Sequence, residues 1–381
     1  VNQSATPVQH TWLRRLLPLV WVGTLAIAMQ NWIGGQTIYA PAVESRVTAA
    51  HEAILHNQPA GGVSWDSLGM NGVNTRLGVV YLAEALHRTA GESIPQAYHT
   101  IDTVALAAGM LLLLLYLRRQ VGEPLALAGA LFVATLLPLT YQLFYFHPWD
   151  RVSFVLWIAL LWLLAEERLV LFALLLPVAV FVKYDVILLP LLYGLHVMMR
   201  DQRAPWRVPV RTVAVVAGLL LVSFGTHYAL QAWRPGGAVP HSAWDMLRRN
   251  ADNAVNMGIA WPPLLAFPVP VLLAALGFRA ARPWAQACAL FGVFLLAVFA
   301  LQSNFAEVRA QVPVLLLLMP AALQALGAIL VPSESGMSYR VVHSPHDPLF
   351  TGARATPNTR PLEYRDGVGD HGRRGHASVG G

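Results

Sequence analysis

The chain has 381 residues, is 56% hydrophobic and only 12% charged, and carries a formal charge of +6 at pH 7. Soluble globular proteins carry roughly 25% charged residues, so this chain lacks the charge to cover a water-facing surface. That excludes an ordinary soluble enzyme, a disordered chain and a collagen-like one, and leaves an all-α polytopic integral membrane protein. The basic excess reads as topology, because cytoplasmic loops collect Lys and Arg. No nucleic-acid partner is expected. Of the 26 basic residues, all but Lys183 are Arg. That bias, with abundant Ala, Gly and Pro, suggests a bacterial inner (plasma) membrane. The single cysteine, Cys288, excludes an internal disulfide or a Cys-based metal site.

In chain order, residues 1–11 are expected to be a cytoplasmic N-terminus and 12–331 a transmembrane domain. Arg14-Arg15 precede an apolar run over 16–33. That run exceeds the roughly 7–15 residues of a signal-peptide core, so it reads as a first membrane helix. A long polar stretch over 34–100 follows as an external loop. Within it, 43–55 and 73–87 have helical amphipathic periodicity, the latter with Val79, Val80, Leu82, Ala83 and Leu86 on one face.

Nine more apolar runs follow: 101–117, 125–146, 152–165, 169–182, 186–199, 212–233, 262–278, 283–301 and 312–331. With the first run they give about ten transmembrane helices. Those at 152–165, 169–182 and 186–199 fall short of the roughly 20 residues that span hydrocarbon. They are half-crossing helices, or 169–199 is one kinked helix that reverses everything after it. Alternating from a cytoplasmic start places Arg-rich segments inside and most acids outside, as the positive-inside rule requires. A second external loop spans 234–261, and 332–381, rich in Gly, Ser, Pro, Arg and His, is expected to be a disordered cytoplasmic tail.

The polar residues that could do chemistry therefore gather on the external face. Loop one offers Glu44, Arg46, His51, Glu52, Asp66, Arg76 and Glu84. A carboxylate above the bilayer can act as general base toward a hydroxyl, or hold a divalent cation. Glu44 and Asp66 are the loop-one candidates for that role, while Glu52, Arg88 and Glu92 read better as solvating charges. His147-Pro148-Trp149-Asp150-Arg151 stands at the mouth of two helices. Asp150 there either caps a helix or acts chemically, and Trp149 suits a membrane interface or a stacking surface. Lys183-Tyr184-Asp185 lies between two apolar runs, where ionisable groups are costly: Lys183 either marks function, as a cation for a lipid phosphate, or pairs internally with Asp185 or snorkels to the headgroups. Glu307-Val308-Arg309 precedes the last run, and Arg309 there either holds a phosphate or pairs with Glu307. The second loop adds His241, Trp244, Asp245, Arg248 and Arg249.

Together these residues resemble the GT-C superfamily of membrane glycosyltransferases, which use polyprenyl-phosphate sugars. The resemblance covers about 12–331 and rests on Glu44 or Asp66 in loop one, Asp150 in His-Pro-Trp-Asp-Arg, Lys183, and Glu307-Val308-Arg309. Many members have Asp directly after the first helix, where this chain has Asn31. The resemblance implies transfer of a sugar to an envelope glycan, lipid or protein acceptor on the external face. Asp150, Glu44 or Asp66 would be catalytic. Lys183, Arg309 and Arg151 would hold the donor phosphate. His147, Trp149, Arg46 and Glu307 would bind substrate. It implies no cofactor beyond an optional divalent cation, and no metal ligands are assigned. The competing readings are a lipid-linked-glycan polymerase or ligase, a transporter or flippase, and a non-catalytic envelope scaffold.

Overall fold

A computed structural model describes residues 9–34, 44–58, 74–141, 147–200, 208–235, 242–255, 266–304 and 307–330. The chain divides into 1–332 and 333–381, and the second unit lies outside the described residues. So does the expected tail.

The described residues form helices and connections and contain no strand. The α-helices are α1 (Gln9–Gly34), α2 (Glu44–His56), α3 (Gly78–Ala90), α4 (Ile94–Gln120), α5 (Glu123–Leu136), α6 (Asp150–Ala165), α7 (Leu169–Val182), α8 (Pro190–Arg200), α9 (Val210–Trp233), α10 (Ala243–Val255), α11 (Pro268–Gly277), α12 (Pro283–Gln302) and α13 (Val308–Leu330). Among the described residues five stretches are long and apolar enough to cross a membrane: Ile94–Gln120, Glu123–Thr140, Val210–Trp233, Pro283–Gln302 and Val308–Leu330. Large apolar side chains face outward, among them Val170 and Leu174 on α7, Leu221 and Tyr228 on α9, and Leu272 and Leu276 on α11. An apolar outer surface on apolar helices describes a membrane-embedded helical protein.

Local chemistry sets several boundaries. Ser93 and Gln96 form a capping box at the start of α4. The helix therefore begins at Ile94, about two turns before the apolar run at 101. Gly91 ends α3 in the left-handed conformation, with φ 71°. On α3 only Val79, Val80 and Ala83 are buried; Leu86 is half-buried and Leu82 is exposed, so the buried face is narrower than the sequence pattern implies. The single kinked helix over 169–199 does not form. Lys183 is extended (φ −161°, ψ 124°), a 3₁₀ turn covers Tyr184–Val186, and Pro190 opens α8.

The contacts orient the bundle. Asn31 Oδ1 lies 3.0 Å from His99 Nε2, joining the end of α1 to the start of α4. Trp284 Nε1 donates to Tyr116 Oη at 2.9 Å, joining the end of α4 to the start of α12. The starts of α4, α6 and α13 and the ends of α1, α7 and α9 share one end of the bundle. The opposite end carries Arg118, Arg119, Glu123, Glu166, Glu167, Arg168, Arg200, Arg279 and Arg282, with Arg118–Glu123 and Arg200–Glu167 paired.

Two apolar cores result. The large one fills the bundle. A smaller one joins Ile54 of α2, Leu77, Val80 and Ala83 of the α3 region, Tyr98 and Ile101 of α4, Trp149, and Val182. Arg234, at the end of α9, fastens this small core to the bundle. It donates to Ile54 O (2.5 Å), Leu55 O (3.1 Å) and Tyr81 Oη (3.0 Å), satisfying the last carbonyls of α2.

Where α11 ends, a Cβ on Gly277 would press on Ala325 of α13, 3.0 Å from its Cα. Close backbone approach of this kind holds membrane helices together. Gly277→Val should destabilise the fold by about 1–3 kcal/mol, read as a lower unfolding midpoint in detergent.

In the small core, His51 Nδ1 lies 2.7 Å from Tyr98 Oη and its Nε2 lies 3.2 Å from Glu84. Burial pushes the His51 imidazole below its ordinary 6.5, against the opposing pull of Glu84. The unfolded chain thus takes up this proton at a higher pH than the folded one, so stability is full above about 6.5 and falls below it. Melting curves in detergent from pH 7.5 down to 5.5 should show this fall, and His51→Gln should flatten it. An unchanged slope in that variant would assign the effect to another group.

Candidate functional site

Three separate stretches bring ionisable side chains to the end of the bundle beside the small core. Asp150 is the first residue of α6, where a carboxylate meets the positive end of the helix dipole. Lys183 and Asp185 occupy the break after α7. That break leaves the Phe181 carbonyl without a helical partner, and the Leu77 N–H fills it at 3.1 Å. Glu307 and Arg309 stand at the start of α13. Pro313, one turn on, has no N–H to offer the Arg309 carbonyl.

Lys183 Nζ lies 3.1 Å from Asp150 Oδ1 and 3.1 Å from Asp185 Oδ2. Arg309 Nη1 lies 3.5 Å from Asp150 Oδ2, and its Nη2 pairs with Glu307. Trp157, two turns along α6 from Asp150, donates its indole N–H to Asp185 Oδ1 at 3.1 Å. Arg151, 4% exposed, donates to Thr140 Oγ1 at 2.7 Å. Thr140, Asp150, Arg151, Trp157, Lys183 and Arg309 line a cavity of about 10 Å³, at the lower limit for one water.

A second group adjoins the first. The Arg76 guanidinium lies 4.9 Å from the Trp149 ring and 4.9 Å from the Tyr184 ring, and donates to Tyr184 Oη at 3.2 Å. His147 stands edge-on to Trp149 at 5.3 Å. Burial, then the positive charge of Arg309, pushes its imidazole well below the ordinary value, so it is neutral at pH 7.

The sequence candidates divide accordingly. Asp150, Lys183, Arg309, Glu307 and Arg151 come together, and His147 and Trp149 flank them. Glu44 and Arg46 are exposed on α2 and form no ion pair with this cluster. Asp66 and His241 lie outside the described residues. Among the described residues no group of three His, Cys, Asp or Glu is arranged to hold a metal ion. The ammonium of Lys183 bridges Asp150 and Asp185, the position a divalent cation between them would take. Sequence reasoning gave no role to Trp157 or Thr140. The seven-residue spacing of Trp157 from Asp150 puts both on one helix face, but a Trp inside an apolar run reads as core.

No protein-family model, no curated protein and no solved structure matches this chain. What chemistry the chain offers lies in the cluster: a carboxylate at the head of a helix, fixed by two cations, beside a half-buried neutral imidazole.

Removing Lys183 would leave Asp150 and Asp185 facing each other in a buried setting. Lys183→Met should cost about 3–5 kcal/mol, since breaking a buried pair strands its partners. Adding Asp185→Asn should recover part of that loss. Unfolding midpoints of the two variants in detergent test both statements, and equal midpoints would mean that the pairs are not coupled.

Proposed function

We propose that this chain is a membrane glycosyltransferase of the GT-C kind. It moves a sugar from a polyprenyl-phosphate donor to an envelope glycan, lipid or protein acceptor. The membrane is a bacterial inner membrane crossed about ten times, with both termini cytoplasmic and the Asp150 cluster on the external face. The observation that carries this reading is the meeting of Asp150, Lys183 and Arg309 around one cavity from α6, the α7–α8 break and α13. The Arg-rich composition of the opposite end supports the orientation.

In the reaction, an acceptor oxygen attacks the anomeric carbon of the donor sugar. The bond from that carbon to the phosphate oxygen breaks, and its electron pair leaves with the polyprenyl phosphate. Asp150 takes the acceptor hydroxyl proton. Lys183, Arg309 and Arg151 stabilise the negative charge that builds on the departing phosphate. His147, Trp149 and Glu307 border the substrate, and the lipid phosphate needs no strong general acid to leave.

A lipid-phosphate flippase is the second reading. It is favoured by the interruption of an apolar hairpin at an ion-paired Lys183, a style of broken helix that transporters use. The readings separate in one assay on the purified chain, with polyprenyl-phosphate sugars as donors. Wild type should transfer sugar, and Asp150→Asn should lower the rate by about 10²–10⁴-fold at an unchanged unfolding midpoint. Donor binding without transfer in wild type would favour the flippase.

A further inference from the structure

The Asp150 cluster is already matched in charge. Lys183 bridges Asp150 and Asp185, and Arg309 bridges Asp150 and Glu307, so two cations face three carboxylates. Arg151, on the same cavity, brings the group to neutrality. An anion arriving there would have to compete with carboxylates for Lys183 and Arg309, and with Thr140 for Arg151.

Arg76 differs. It forms no ion pair with any described carboxylate. Its guanidinium is held by the Trp149 and Tyr184 rings, each at 4.9 Å, and by Tyr184 Oη. Its buried Nε has no hydrogen-bond partner among the described residues. Stacking on aromatic faces orients a guanidinium without neutralising it. Tyr184 Oη accepts from Arg76, so its own O–H remains available to an incoming acceptor atom. The His227 ring lies 5.1 Å from Tyr184, and its Nδ1 also has no hydrogen-bond partner. Arg76, Tyr184 and His227 are all half-buried, so solvent or lipid reaches them. Arg76 is also close enough to act electrostatically on Lys183 and His147.

We infer that Arg76, with Tyr184 and His227, forms an anion subsite that anchors a phosphate ester beside the Asp150 cluster. The inference deepens the transferase reading, because it gives the donor phosphate a ground-state anchor apart from the carboxylate-paired cations. The bound group is a phosphate monoester or diester, on a prenyl chain, on a glycerolipid or free in solution.

The test is direct binding to the full chain in neutral detergent, read by tryptophan fluorescence, since Trp149 abuts Arg76. The probes are farnesyl phosphate, farnesol and inorganic phosphate. Nanodiscs of phosphatidylcholine, with and without phosphatidylglycerol, serve as competitors. Wild type should bind farnesyl phosphate at least about tenfold more tightly than farnesol, and more weakly as salt rises. Arg76→Gln should lose about tenfold or more for farnesyl phosphate and nothing for farnesol. Arg76→Lys should recover only part of that loss, because an ammonium cannot stack and fork as a guanidinium does.

Competition by inorganic phosphate would identify the bare anion as sufficient. Competition only by phosphatidylglycerol would identify a glycerolipid headgroup as the occupant. Should Arg76→Gln fail to fold, Tyr184→Phe, which keeps the ring and removes the donor, decides by a loss of several-fold. Equal binding of farnesyl phosphate and farnesol by wild type, or unchanged binding in the folded variants, overturns the inference. Phosphate-dependent binding with no sugar transfer would keep the subsite and remove the transferase reading. Transfer by Arg76→Gln with an unchanged donor KM would do the reverse.

Discussion

A single ammonium held between two carboxylates fixes the geometry of this site. Stripping water from Lys183 is costly, and its pairing with Asp150 and Asp185 at 3.1 Å offsets that cost only if all three side chains stay where they are. The constraint ties the head of α6 to the break after α7. Arg309 extends it to α13 by meeting Asp150 from the other side. Three helices that also pack through apolar side chains are thus registered at this end by charge, since apolar packing alone in lipid offers no hydrophobic drive between helices. The same requirement accounts for the interruption of the apolar hairpin at Lys183. The chain leaves helical geometry where the charged side chain must reach both partners.

The small core above the bundle serves this arrangement. Trp149 and Val182, the neighbours in sequence of Asp150 and Lys183, are both buried in it. Leu77 joins the layer and hands its N–H to the end of α7. Arg234 ties the layer to α9 through backbone carbonyls of α2. Movement of α2 and α3 would therefore be felt at the residues that carry Asp150 and Lys183. The cavity beside Asp150, about 10 Å³, holds no more than about one water. Any sugar that reaches Asp150 must displace side chains, and the ion pairs that define the site resist that displacement.

Electrostatic matching also separates two roles that look alike in a list of basic residues. Lys183 and Arg309 are committed to carboxylates and hold them in place. Among the described residues Arg76 meets only aromatic faces and a hydroxyl, which leaves its charge unspent. The first kind of cation orients an acid and meets the phosphate only as charge builds on it; the second anchors an anion beforehand. The neutral His147 beside both groups adds hydrogen-bonding capacity without further charge.

Composition by itself determined the class: a chain with this little charge and this many apolar runs has to place its surface in lipid. Apolar runs located most helices; the cost of an ionisable group among apolar residues marks Lys183, and the polar clusters at helix mouths mark Asp150 and Arg309. Helix starts set by capping chemistry, as at Ser93 and Gln96, are written in the sequence but lie outside the apolar run that marks the span. The partners could not be read. Asp150 and Arg309 are 159 positions apart, and Arg76 and Tyr184 are 108 apart. No local periodicity encodes which loop folds back on which helix end. Only tertiary structure decided that Glu44 stays exposed on α2 while Asp150 is held by two cations, because ion pairing in a dry interior depends on distances that the chain reaches only once the bundle has closed.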